Sequence, residues 1–181
     1  MIEKTIEAIL EAAFSVFEET PTATLADVAA RAGVGRATLH RHFSGREELM
    51  SALAVQAMRD LDKVFEEATT EAESYTDALR LGLAAMIPLA SRAHFLEDWT
   101  SAETPELIAE ADRQKAEMIH AIDQAKSEGG FAPEVPSAWI AESFDALLYA
   151  AWEMVKADEA TAKQAADLAW RTLTNGVGGT K

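Results

Sequence analysis

Arg36, Ala37, Thr38, His40 and Arg41 form a run whose residue types suit a polyanion. On a helix from about Gly35 to His42 they take the outward positions and leave Leu39 as the inward anchor. An arginine near the start of such a helix can pair bidentately with a guanine edge in a major groove, which makes Arg36 the candidate base contact. Thr24, Thr38, His40, His42 and Arg46 lie around the rim, where hydroxyls, ring nitrogens and a guanidinium fix register on phosphates without reading sequence. Between Thr24 and Arg46 four arginines face the single acid Asp27, a local balance of +3 in a chain of formal net charge −15. A duplex repels an acidic protein, so the basic island marks where a polyanion is tolerated.

The elements that must hold this face in place are legible on either side of it. Leu25, Val28 and Ala29 recur at helical spacing, with Thr24 placed to cap and Asp27 in the first turn, where the helix dipole favours a carboxylate. Ala29 and Gly33 follow as a small crossing residue and a glycine able to take positive φ, the pattern a helix-turn-helix requires. An ordinary pair of surface helices shares that spacing, so charge favours the nucleic-acid reading. Upstream, about Ile2 to Glu19 reads as a helix whose Ile6, Ile9, Leu10, Ala13, Val16 and Phe17 pack across the pair. Downstream, Ser44 is expected to cap a fourth helix with Glu47 at its third position, running to about Thr70.

In these residues the chain resembles the tetracycline-repressor-like (TetR) family of transcriptional regulators. The likeness begins at IEAILEAAFSVF and is densest in ATLADVAARAGVGRATLHRHFSGREEL; beyond Leu53 only the helical layout agrees. Gly35 stands where a capping serine is usual, His40 where tyrosine is usual, Arg46 where lysine is usual, and Pro21 replaces a Gly-aromatic turn. The resemblance implies a DNA-binding regulator with a four-helix dimer interface and a ligand pocket between its middle helices.

The composition agrees with an all-α chain. Hydrophobic residues make up 49%, mostly alanine and leucine, interrupted by only five prolines and nine glycines. There is no cysteine, which excludes disulfides and thiolate metal sites. No apolar run reaches the ~20 residues of a membrane span, so a soluble cytoplasmic protein is expected. Further helices are expected at Tyr75 to about Ala93, with Pro88 as a kink or break, and from Thr104 and Pro105 to about Ser127, closed by Gly129 and Gly130. His94 to Glu103 reads as irregular, Phe131 to Pro136 as a loop, and Ser137 to Ala157 and about Ala160 to Asn175 as the last helices. The expected domains are residues 1–46, a three-helix DNA-binding unit, and 47–175, a helical ligand-binding and dimerisation bundle, with 176–181 a disordered tail.

The last two helices are apolar on more than one side, so they either lie central in a monomer or meet a second copy. Pairing two readers on a palindromic site favours the second copy, with Leu148, Ala151, Val155, Ala165 and Ala169 at the interface. Met86, Phe95, Trp99, Met118, Phe144, Tyr149 and Trp152 are candidates for an effector pocket, with plain core as the alternative. No metal or cofactor is implied: His40 and His42 point in roughly opposite directions on a helix, and His94 and His120 lack ligand spacing. Serines and paired acids lack a catalytic context, so no enzyme is expected. The expected protein is a homodimeric regulator, most simply a repressor, that binds double-stranded DNA and leaves its operator when a small molecule binds. A DNA-binding adaptor whose acidic C-terminal part holds a protein, and a small helical enzyme, are the other readings. Net charge after position 50, −12 from 11 basic and 23 acidic residues, lends the adaptor some support.

Overall fold

Each break in the helical pattern coincides with a residue that forbids or caps a helix. The computed structural model describes residues 2–90 and 104–176, and Phe95 and Trp99 lie outside them. Among the described residues there are eight α-helices: α1 (Ile2–Glu19), α2 (Leu25–Arg31), α3 (Arg36–His42), α4 (Arg46–Thr69), α5 (Tyr75–Met86), α6 (Pro105–Ser127), α7 (Ser137–Lys156) and α8 (Ala162–Asn175). Pro88 ends α5 as expected, turning its last residues into a 3-10 segment, Ile87–Leu89. Thr104 caps α6 by accepting from the Leu107 amide at 3.3 Å. No described helix is long and apolar enough to cross a membrane.

The chain divides into two compact units, 2–58 with 104–110, and 59–90 with 111–176. In the first, Ile9, Ala13, Phe17, Val28, Leu39, Leu49 and Leu53 are at most 1% exposed and join α1 to α4 in one core. Each buried leucine of this kind stabilises the unit by roughly 2 to 5 kcal/mol against alanine. The core takes in α4 as far as Ala57, so this unit ends within α4 and not before it. Among the described residues the one buried polar side chain is Ser51, whose hydroxyl meets that of Thr104 at 2.8 Å.

In the second unit α5, the far part of α6, α7 and α8 enclose Leu79, Leu83, Ile87, Ile122 and Phe144. Glu128, just past α6, accepts from the amides of Tyr75 and Thr76, both at 3.1 Å, and so satisfies the open first turn of α5. Leu148, Ala151, Ala165 and Ala169 are only 6, 3, 1 and 4% exposed within the chain itself, and Val155 packs on the same core. Of the expected dimer face, four side chains are therefore enclosed by their own chain, and Val155 is half-buried on the same core. The outward stripe of α7 is instead Trp139, Ala146 and Ala150, and that of α8 is Gln164, Leu168 and Arg171.

Candidate nucleic-acid interface

The geometry of the basic face is fixed by two caps and one turn. Thr24 accepts from the Asp27 amide at 3.3 Å while Asp27 Oδ2 receives the Thr24 amide at 2.8 Å, a reciprocal capping box that starts α2. At its other end Gly33 adopts φ 67°, its amide reaching Ala30 O at 3.2 Å and that of Val34 reaching Ala29 O at 3.0 Å. This double closure satisfies the last carbonyls of α2 and turns the chain for Gly35 to start α3, with no side-chain cap on α3. Leu39, 1% exposed, then seats α3 on the core and turns Arg36, Ala37, His40 and Arg41 to the exterior. Thr38 and His42 are half-buried, and Arg41 Nη2 donates to Thr38 Oγ1 at 3.3 Å.

The four arginines of the island divide into two kinds. Arg31 makes a two-pronged ion pair with Glu19, the shorter contact 2.8 Å, and also donates to Ser15 Oγ at 2.6 Å. The Arg31–Glu19 hydrogen bond and charge attraction hold the Glu19 carboxyl below its ordinary pKa of 4.5 and raise that of Arg31. Arg46 turns inward: its Nη1 donates to Ala23 O at 2.6 Å, its Nη2 to Pro21 O at 2.8 Å, and its guanidinium lies 4.3 Å from the centre of the Phe17 ring. Arg36 and Arg41, in contrast, are exposed on α3 itself. Their charge leaves the helix toward solvent, where a phosphate or a base edge can meet it.

Thr24 is likewise committed locally, because its hydroxyl donates to Asp27 Oδ2 at 2.6 Å and its amide goes to the same atom. Those two bonds, followed by the charge of Arg36, lower the Asp27 pKa from its ordinary 3.8. At the start of α4 Ser44 meets Glu48 and not Glu47: its amide and hydroxyl both donate to Glu48 Oε2 at 2.6 Å. Gly45 intervenes between Ser44 and the helix, which shifts the partner by one position. Sequence spacing could not have found the Arg31–Glu19 or Arg46–Pro21 pairings, since both join residues far apart in the chain.

Of the pocket candidates, Met86 and Phe144 are 8 and 1% exposed in the core of the second unit. Met118 and Trp152 are half-buried against that core. Tyr149 and Trp152 form a tilted ring pair 5.5 Å apart, Lys156 Nζ sits 4.5 Å over the Trp152 ring, and Tyr149 donates to Glu153 Oε1 at 3.2 Å. Two open clefts lie elsewhere: one of about 320 Å³ between Thr69, Ser74, Tyr75 and Glu128, and one of about 720 Å³ between Val16, Ala23, Asp27 and Arg31. Among the described residues no group of three or more potential ligands could hold a metal ion.

Comparison with known proteins bears on the same face. Residues 9–53 match the model for bacterial regulatory proteins of the tetR family. Over 176 residues, 97% of this chain and 91% of the relative, the sequence is 34% identical to the HTH-type transcriptional repressor LfrR of Mycolicibacterium smegmatis. The solved structure of the TetR-like regulator LfrR from Mycobacterium smegmatis in complex with proflavine superposes with a TM-score of 0.82 at 31% identity, covering 98% of each chain. A TetR family transcription regulator from Marinobacter aquaeolei VT8 shares the fold, with a TM-score of 0.75 at 19% identity over 93% of this chain and 94% of that one.

Proposed function

Because the chain belongs to the tetR family, a family of DNA-binding transcription regulators, we propose that it is a homodimeric repressor that holds a palindromic operator through α3 of each copy and releases it when an organic cation binds. The observation that carries the reading is α3 itself: a short helix anchored by Leu39, turned by Gly33, and presenting Arg36, Ala37, Thr38, His40, Arg41 and His42. Arg36 reads a base edge, and Thr38, His40 and His42 fix register on the backbone. Two copies reach successive major grooves when their α3 helices stand about 34 to 36 Å apart. A ligand that prefers another spacing lowers operator affinity by that preference.

The second unit, 59–90 with 111–176, is the part we assign to ligand binding and dimerisation. Copies pair through the outward stripes of α7 and α8, where Trp139 and Leu168 are 69 and 39% exposed and Ala146 and Ala150 allow close approach. The effector class follows from the similar repressor, whose structure contains proflavine, a planar aromatic cation. Two features of this chain support it: a net charge of −15, which draws cations, and the Tyr149–Trp152 ring pair beside Glu153, whose Trp152 face already receives a lysine.

Selection of bound fragments from genomic DNA, followed by titration of a recovered fragment in the presence of proflavine, tests both parts. Enrichment of palindromic fragments whose binding proflavine weakens is the expected result. Absence of enrichment overturns DNA recognition; enrichment that proflavine leaves unchanged overturns the cationic effector alone.

A further inference from the structure

Arg46 is placed where a phosphate ligand would be expected from sequence, yet its guanidinium is aimed into the protein. Three pieces of the first unit converge on it. Phe17, fully buried near the end of α1, lies under the guanidinium at 4.3 Å. Pro21 and Ala23, in the turn between α1 and α2, each offer a carbonyl oxygen, at 2.8 and 2.6 Å. Ala23 is followed at once by Thr24, the residue whose capping box begins α2. Arg46 is also the first residue of α4 and comes three positions after Phe43, the 5% exposed residue that closes α3. One planar side chain therefore joins the end of α1, the start of α2 and the start of α4.

We propose that Arg46 is a positioning residue for DNA recognition: it locks the turn at Pro21 and Ala23 to the start of α4 and so fixes how α2 and α3 are presented to the operator, without itself binding phosphate. The assignment rests on the DNA-binding reading, which titration of the wild-type protein tests separately. The chemistry required is specific to arginine. Two carbonyls and a ring face are satisfied together by a flat fork of donors that also stacks, whereas lysine brings a compact charge with no plane. Neutralisation of DNA by Arg36 and Arg41 remains intact in this scheme, because neither takes part in the clamp.

The test compares wild type, Arg46→Lys and Arg46→Met on an operator fragment recovered by selection and on unrelated duplex of the same length, across a salt series well below the melting temperature. A positioning residue predicts that both variants lose roughly tenfold on the operator, the loss of a charge-assisted hydrogen bond, while binding to unrelated duplex and the slope of log affinity against log salt stay as in wild type. Amide hydrogen exchange over residues 20–31 should quicken in both. Operator binding by Arg46→Lys close to wild type overturns the proposal, because a phosphate ligand needs only the charge. A slope lowered by about 0.9 per protomer in Arg46→Met does the same, since it counts a lost phosphate contact. Equal loss on both duplexes overturns it too, as the mark of a unit that has merely loosened. If Arg46→Met fails to fold, Arg46→Lys decides alone.

Discussion

Trp139 gives the sharpest test of how two copies of this chain pair. It stands on the outward stripe of α7 with 69% of its surface exposed, while Leu148, two and a half turns further on, is 6% exposed and faces the core. Of the ~250 Å² that a tryptophan can bury, an exposure of 69% leaves ~170 Å² to be covered by a partner. At about 25 cal/mol per Å² this is at most ~4 kcal/mol per protomer. Half of that survives as a typical hot-spot value of ~2 kcal/mol once the costs of association are met. Two copies of Trp139→Ala in one dimer should then raise its dissociation constant by about a thousandfold, since ~4 kcal/mol is nearly three factors of ten. The fold should be spared, because the lost side chain supports little within its own chain. Sedimentation across a concentration series reads the constant, and an operator titration on the same sample reads the consequence: a monomer loses joint binding of two half-sites. A folded Trp139→Ala protein with an unchanged dimer constant would refute the assignment of this face. Leu148→Ala serves as the contrast, with a loss of roughly 2 to 5 kcal/mol of stability and no selective effect on pairing.

Arg36→Ala should change which base is preferred at one position of each half-site and cost roughly 1 to 3 kcal/mol per half-site; repeated fragment selection checks it, and an unchanged consensus with uniformly weaker binding would make Arg36 a phosphate contact. Gly82→Ala should destabilise the second unit in denaturant titration, because an added Cβ would come within 2.1 Å of the Phe65 ring, and an overpacking cost of about 1 to 3 kcal/mol outweighs the helix-propensity gain of at most ~1 kcal/mol. Acidification should weaken the first unit. The carboxyls of Glu19, Asp27 and Glu48 are held below their ordinary pKa values by Arg31, Thr24 and Ser44 respectively. Their contribution is therefore complete above the unfolded values of about 4.5, 3.8 and 4.5 and is lost as pH falls through the lower folded ones. Melting temperature should fall below about pH 5, and Glu48→Gln should flatten that fall.

Much of the architecture was legible because its signals act over a few residues. Thr24 caps α2, Gly33 supplies the positive φ that ends it, Pro88 breaks α5, and Thr104 with Pro105 opens α6: each is a local steric or hydrogen-bonding rule that needs no distant partner. The outward face of α3 was legible for the same reason, since one inward leucine in a seven-residue helix settles where the remaining side chains point. What tertiary structure decided were questions with two locally acceptable answers. Helix α7 is apolar around much of its circumference, and periodicity cannot rank Leu148 and Ala151 against Trp139 and Ala146; packing against α5 and α8 turned the first pair inward and left the second pair outside. Arg46 could reach solvent or fold back, and it folded back because Phe17, Pro21 and Ala23, more than twenty positions earlier, came to lie within its reach. Glu19 likewise drew Arg31 out of the basic island across a distance that no helical period encodes. Side-chain charge is written in the sequence, but whether that charge faces a partner within the protein or a partner in solution depends on which residues folding brings beside it.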